Sequence, residues 1–270
     1  MAGDVYIERI REPLVNGIFY PDEKELLKKT VTDFLDREEK YTDSSFAVIS
    51  PHACYDYAGD IMAAAYKSAS KRKISTVVIL APLHRENRDE IILPESCFFK
   101  TPLGLVRIND EITDELLSCS NLVIKNDIPH LEEHCIEIQL PFIQVLFPEA
   151  DIVPVLMSKS KPRNIKLLSN ALQLVLSNKY DDILFAVSAN IASCTEGRNK
   201  ANDEAGLLIS LMLEGNWQGI QESLKERKIS TCGADCISAL LNFNGMKYRI
   251  SLLKQNDSER KNPESKKIVH

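Results

Sequence analysis

Residues 76–84 read Thr76-Val77-Val78-Ile79-Leu80-Ala81-Pro82-Leu83-His84. The first six carry no charge and are mostly β-branched or aliphatic. A run this short and this uniformly apolar predicts a strand buried on both faces, as in a parallel sheet. Pro82 has no N–H for a ladder and is expected to end the strand, and His84 follows. Upstream, residues 46–50 repeat the pattern: a short apolar run, then Pro51 and His52. Each imidazole thus falls in a loop beyond the carboxyl end of a strand, where open α/β sheets place their sites. If the two strand ends lie one or two strand spacings apart, both rings can face one atom.

Outward from this stretch, apolar runs alternate with helix-period segments. Helices are expected at 59–70, 133–147, 164–176, 200–213, 217–226 and 235–243. Further strands are expected at 152–156, 183–188 and, closing the fold, 247–252. Residues 97–99 and 105–108 read as a hairpin through Thr101-Pro102-Leu103-Gly104. The alternation predicts an α/β fold: one three-layer domain over residues 1–254, with a mostly parallel central sheet covered on both faces. Residues 255–270 form a polar tail, expected to be flexible.

The chain has 270 residues, 44% hydrophobic and 27% charged, a globular composition. Its 33 basic and 39 acidic residues give a net charge of −6, with no basic block to hold nucleic acid. No segment approaches the roughly 20 apolar residues that span a bilayer. The opening residues alternate charged and apolar types, unlike a signal peptide. A cytoplasmic protein with no membrane partner is expected, and its seven cysteines are expected as free thiols.

Other residues could share in the chemistry. Cys232, in Ser230-Thr231-Cys232-Gly233-Ala234-Asp235-Cys236, precedes a predicted helix, whose dipole favours the metal-binding thiolate. Cys236 and the other five cysteines read as core or surface residues. Residues 132–142, Glu132-Glu133-His134-Cys135-Ile136-Glu137-Ile138-Gln139-Leu140-Pro141-Phe142, are dense in titratable groups. A helix there would place Glu133 and Glu137 on one face. It is not a zinc-protease helix, because H-E-x-x-H needs a histidine where Ile138 stands. His134 is a candidate acid–base group. No G-x-G-x-x-G, P-loop or G-x-S-x-G motif is present.

Several of these segments together resemble the Memo family. Pro51-His52-Ala53-Cys54-Tyr55-Asp56-Tyr57-Ala58-Gly59 is similar to its P-H-A-G-Y-x-Y-[SA]-G. Residues 133–142 match its E-H-S-I-E-x-x-L-P-[FY], and Leu80-Ala81-Pro82-Leu83-His84 its L-G-P-x-H. The opening Arg11-Glu12-Pro13 to Gly17-Ile18-Phe19-Tyr20, and Cys232-Gly233 with Ile237, also follow family patterns in the family's order. The resemblance implies a fold like that of class III (LigB-type) extradiol dioxygenases. It further implies a pocket in which His52, His84 and Cys232 hold one transition metal, iron or copper ahead of zinc, with Phe19 and Tyr57 lining it. Eukaryotic members are described as mediators of motility and redox signalling that bind phosphotyrosine peptides. Prokaryotic members, protein B of the AmmeMemoRadiSam system, imply a radical-SAM partner.

The chain departs from the family at Cys54 and Ala81, which stand where the family has glycines, and most of all in one loop. The family's S-S-D-x-x-H segment reads here Val187-Ser188-Ala189-Asn190-Ile191-Ala192, which puts Ala189 and Ala192 at the carboxylate and histidine positions. General-base help worth about 10²–10⁴ in rate would then fall to His134 or Tyr57. Two functions follow as expectations. One is a metal-dependent oxidoreductase or dioxygenase-like enzyme acting on a small molecule, extradiol ring cleavage being its most specific form. The other is a catalytically silent scaffold, with or without a metal, that binds a peptide or small anion.

Overall fold

The run that opens the sequence reading is β3 (Thr76–Pro82), and all seven of its residues are buried. In this computed structural model, which describes residues 9–158, 161–177, 179–194, 197–243, 247–256 and 268–269, β3 lies inside a six-stranded sheet. Its parallel neighbours are β8 (Asp151–Met157) and β9 (Ile183–Ser188). Outside β9 lies β2 (Ala47–Ser50), again parallel. Outside β8 the direction reverses: β4 (Ile91–Leu93) is antiparallel to β8, and β7 (Val123–Lys125) pairs parallel with β4. The order is β2-β9-β3-β8-β4-β7. A second, small sheet joins β1 (Ile10–Arg11) to the hairpin of β5 (Phe98–Thr101) and β6 (Gly104–Arg107).

Because strand side chains alternate between faces, β3 supplies two cores. Val77, Ile79 and Ala81 face a layer built by α1 (Lys24–Arg37), α2 (Tyr55–Lys67) and α5 (Leu140–Leu146). Val78 and Leu80 face the other layer: α3 (Asp110–Ser118), α6 (Pro162–Leu176), α7 (Arg198–Leu213), α8 (Trp217–Lys225) and α9 (Ala234–Leu241). Local signals set several ends. Asn109 caps α3 by accepting from the Ile112 N–H, and Pro162 opens α6. Gly59 lets α1 and α2 close up, since a Cβ there would sit 2.5 Å from the Phe34 ring. No helix among the described residues is long and apolar enough to cross a membrane.

The α/β architecture with a mostly parallel sheet is as the sequence indicates, and three details differ. Pro82 does not stand outside the ladder; it is the last residue of β3, opposite Met157. The expected closing strand at 247–252 is irregular chain. Its apolar residues pack instead of pairing: Tyr248 lies 5.7 Å from Phe46, and its hydroxyl donates to the Leu241 carbonyl. This segment walls a cavity of about 540 Å³ beside β2, lined by Ile49, Ile61, Met212, Leu241 and Leu253. Of the tail from 255, residues 257–267 and 270 lie outside those described, while β11 (Ile268–Val269) pairs antiparallel with β10 (Ser193–Cys194).

The third difference matters for function. The single helix expected over 133–147 is broken. α4 (Asp127–Glu132) ends at Glu133, whose backbone is extended, with φ −107° and ψ 135°. A 3₁₀ turn (Glu137–Gln139) then leads into α5. Arg11, wholly buried, braces the non-helical stretch. Its Nε donates to the His130 carbonyl (3.0 Å) and its Nη2 to the Glu133 carbonyl (2.8 Å). Those are the acceptors that a continuing helix would offer to residues 134 and 137. Glu133 and Glu137 therefore do not share a helix face.

Glu137 closes the same network from below. It pairs with Arg11 and accepts from the Leu14 N–H (2.8 Å), the Val15 N–H (3.0 Å) and the Tyr20 hydroxyl (2.5 Å). Both partners of the ion pair are fully buried, and removing one charge of such a pair costs about 3–5 kcal/mol. Glu137→Gln is therefore expected to lower the unfolding free energy by about that much, read from urea denaturation. A loss near zero would show that Arg11 finds solvent in the folded state.

Candidate functional site

β2 and β3 are not adjacent. β9 lies between them, so their ends stand about two strand spacings, or 10 Å, apart. The loops beyond the two outer strands bridge that gap. The rings of His52 and His84 approach to 5.2 Å between centroids, nearly perpendicular. The loop that follows β9 runs beneath them as a floor.

Cys232 comes from the other layer. It precedes α9, and Gly233 at the start of that helix rests on the floor: a Cβ there would stand 2.2 Å from the Ala189 methyl. Only glycine permits that approach, which carries the Cys232 Sγ to 3.1 Å from His52 Nε2. The Asn190 N–H donates to the same sulfur at 3.4 Å. Donor atoms of His52, His84 and Cys232 all lie within 4.8 Å of one another.

The extended backbone at Glu133 brings its carboxylate under two imidazoles. His84 Nδ1 is 3.1 Å from Oε2, and His134 Nδ1 is 3.0 Å from Oε1. The backbone N–H groups of both histidines donate to the same carboxylate, at 2.9 Å each. With Nδ1 tied down, each ring keeps Nε2 for the pocket. The His134 ring stacks near His84 (5.7 Å) and stands edge-on to His52 (5.6 Å), with Phe19 packed against it at 5.1 Å. Behind His52, Nδ1 is 2.9 Å from Ser188 Oγ, at the last residue of β9. Gln139 Nε2 lies 3.1 Å from the same hydroxyl.

These contacts shift the ionisation of the groups. Burial pushes the Cys232 thiol up, but hydrogen bonding and charge from His52, with help from His84 and the Asn190 N–H, prevail and bring it down to about 5. His84 is raised to about 10, first by the Cys232 sulfur and then by Glu133, against burial. Burial opposes the charge on Glu133, yet bonds from His134, His84 and Cys135 hold it well below the carboxylate range. The pocket is thus a thiolate and a carboxylate meeting clustered imidazoles.

His52, His84, Cys232, His134 and Phe19 converge. Tyr57 lies in the first turn of α2 and is 37% exposed. Cys135, read from sequence as core, is buried but belongs to the cluster. Its thiol donates to Glu133 Oε1 (3.0 Å), its sulfur lies 3.4 Å from His84 Nδ1, and burial pushes it up. The loop after β9 also reads differently in three dimensions. Ala189 and Ala192 are both buried, and Ala189 fills the space over Gly233. The residue of this loop that reaches the site is Asn190, whose Oδ1 accepts from the His52 N–H at 3.2 Å. Sequence reasoning also passed over Ser188 and Gln139. Their only signals were a strand-end serine and a polar residue inside an apolar segment.

A three-layer α/β protein with imidazole, thiol and carboxylate groups gathered at the carboxyl ends of its parallel strands is the class that fold and site define. Comparison with known sequences makes it particular. The family described as Memo-like protein matches residues 11–269. The chain is 32% identical over 254 residues to a MEMO1 family protein of Thermotoga neapolitana, covering 89% of this chain and 91% of that protein. It is 30% identical over 236 residues to one of Ignicoccus hospitalis (83% and 82% covered). It is 27% identical over 234 residues to one of Thermoplasma acidophilum (86% and 85% covered). The chain belongs to the Memo family.

The ionisation pattern gives a pH signature for the metal-free protein. Cys232 is thiolate above about pH 5 when folded but only above its ordinary range when unfolded. Its contribution to stability is therefore complete above the unfolded value and lost as pH falls through about 5. His84 works in the opposite sense, its contribution vanishing as pH rises through about 10. Alkylation of Cys232 by iodoacetamide is expected to follow a midpoint near pH 5, moving up in His52→Ala. A midpoint in the ordinary thiol range would contradict the charge assignment.

Proposed function

We propose that this protein binds one transition metal ion through His52, His84 and Cys232 and supports redox or oxygen chemistry on a small substrate. The observation that carries the reading is the convergence of three donors, from three separate segments, within 4.8 Å. The donor chemistry fits. Imidazole and thiolate together suit iron, copper or zinc rather than magnesium or calcium, and iron or copper would supply electron exchange, which zinc cannot. The surroundings fit as well. Metal-binding histidines as a rule give their second nitrogen to a carboxylate, carbonyl or hydroxyl, and here Glu133 and Ser188 stand behind His84 and His52.

In this reading His134 is the acid–base group. Glu133 holds its Nδ1, leaving Nε2 to move a proton at the bound substrate, and the ring is 25% exposed. Phe19, packed on the His134 ring, would border the space a substrate enters, and the family resemblance adds Tyr57 to that border. Asn190, an amide, can orient but cannot serve as a base. That observation also supports a second reading, in which the pocket binds a peptide or small anion without turning it over. Binding that survives Cys232→Ser would favour this second reading. A radical-SAM partner belongs to either proposal by family analogy, and the net charge of −6 gives nucleic acid no general attraction.

Untagged protein purified without chelator, or reconstituted anaerobically with Fe(II) or Cu(I), is expected to carry close to one metal per chain by elemental analysis. His52→Ala and Cys232→Ser are expected to reduce this at least tenfold while folding normally. A wild-type protein that retains no metal after reconstitution would overturn the metal reading.

A further inference from the structure

The buried groups behind His52 determine which ring nitrogen faces the pocket. The chain of contacts begins at Pro51, whose carbonyl can only accept, and Gln139 Nε2 lies 2.9 Å from it. That contact fixes the amide orientation, with the amide oxygen 2.9 Å from the Tyr66 hydroxyl. The second hydrogen on Nε2 points to Ser188 Oγ at 3.1 Å. Ser188 has a single hydrogen, and the Cys135 carbonyl, 2.9 Å away, can only accept it. The hydroxyl has nothing left to donate to His52 Nδ1, 2.9 Å away, so the ring must supply the hydrogen there. Gln139 and Ser188 are fully buried, so reversing any link would leave an unmatched polar pair away from water.

We infer that the Pro51–Gln139–Ser188 relay keeps a hydrogen on His52 Nδ1, so that the proton the ring shares with the Cys232 sulfur sits on Nε2 and its loss leaves that nitrogen, not Nδ1, bare for the pocket. Ser188 is thereby a positioning residue, acting on the site only through the ring it holds. Glu133 performs the matching task for His84 and His134, by charge rather than by a neutral hydroxyl. The effect of Ser188 on metal affinity rests on the metal-site reading; the tautomer does not.

Long-range ¹H–¹⁵N correlation spectra of the metal-free Cys232→Ser protein read the tautomer directly, with His52 assigned by the signals lost in His52→Ala. The Nδ1–H form is expected. Adding Ser188→Ala, which removes the acceptor and adds no volume, is expected to release the ring to a mixture containing the Nε2–H form. In the otherwise wild-type chain, Ser188→Ala is expected to weaken Co(II) binding about 10–100-fold with every donor still present. An Nε2–H ring while Ser188 is present overturns the inference, as does a tautomer indifferent to Ser188→Ala. A released tautomer with unchanged Co(II) affinity overturns the positioning role. If the Nδ1–H form is found and wild-type protein binds no metal, the relay stands and the metal reading falls.

Discussion

One guanidinium holds the shape of the site. Arg11 takes the His130 and Glu133 carbonyls that a continuous helix would use for itself, and pairs with Glu137 beneath them. Beside it the backbone is out of helix for a few residues, and those residues include Glu133 and His134. In a regular helix the Glu133 carboxylate would lie along the helix surface. In the extended segment it turns under His84 and His134 together. A buried charge is expensive unless it is well partnered, and Arg11 meets that condition with three carbonyls and a carboxylate.

The short segment from Glu133 to Gln139 divides its polar side chains among separate tasks. Glu133 orients imidazoles, Glu137 anchors the amino-terminal segment, and Gln139 supports Ser188. All three are buried. Their close spacing is a consequence of the break and the 3₁₀ turn, which aim successive residues in directions that a straight helix would not reach. The segment's pattern thus encodes three supports for one pocket rather than a single catalytic motif.

The sequence exposed the sheet well because β3, β8 and β9 are covered on both faces and read as unbroken apolar runs. The loop histidines were legible for a related reason: a proline and an imidazole after such a run mark the end of the sheet where sites gather. The thiol at 232 was legible from the helix start beside it. What stayed hidden depended on distant partners. The brace on the helix break is Arg11, more than a hundred residues upstream, and no local propensity announces it. The closing strand failed because its alternation reflects packing against Phe46 and neighbouring helices rather than ladder pairing. The role of Asn190 was missed because facing the pocket or facing Gly233 is a matter of one residue's rotation at the end of β9.

The strand inserted between β2 and β3 has a consequence for how such a pocket can change. The two imidazoles hang from the outer strands and the sulfur from a helix, while the residues beneath them belong to a different connection altogether. Anchors and floor are therefore separate pieces of chain, joined where Ala189 meets Gly233 and where Asn190 bonds His52 and Cys232. Replacements among the four residues after β9 could re-furnish the chamber with acid, base or amide, provided that position 189 stays small enough for Gly233 and position 190 keeps its bonds to His52 and Cys232. A single scaffold of this kind can house unlike chemistries, or none, by exchanging one short loop.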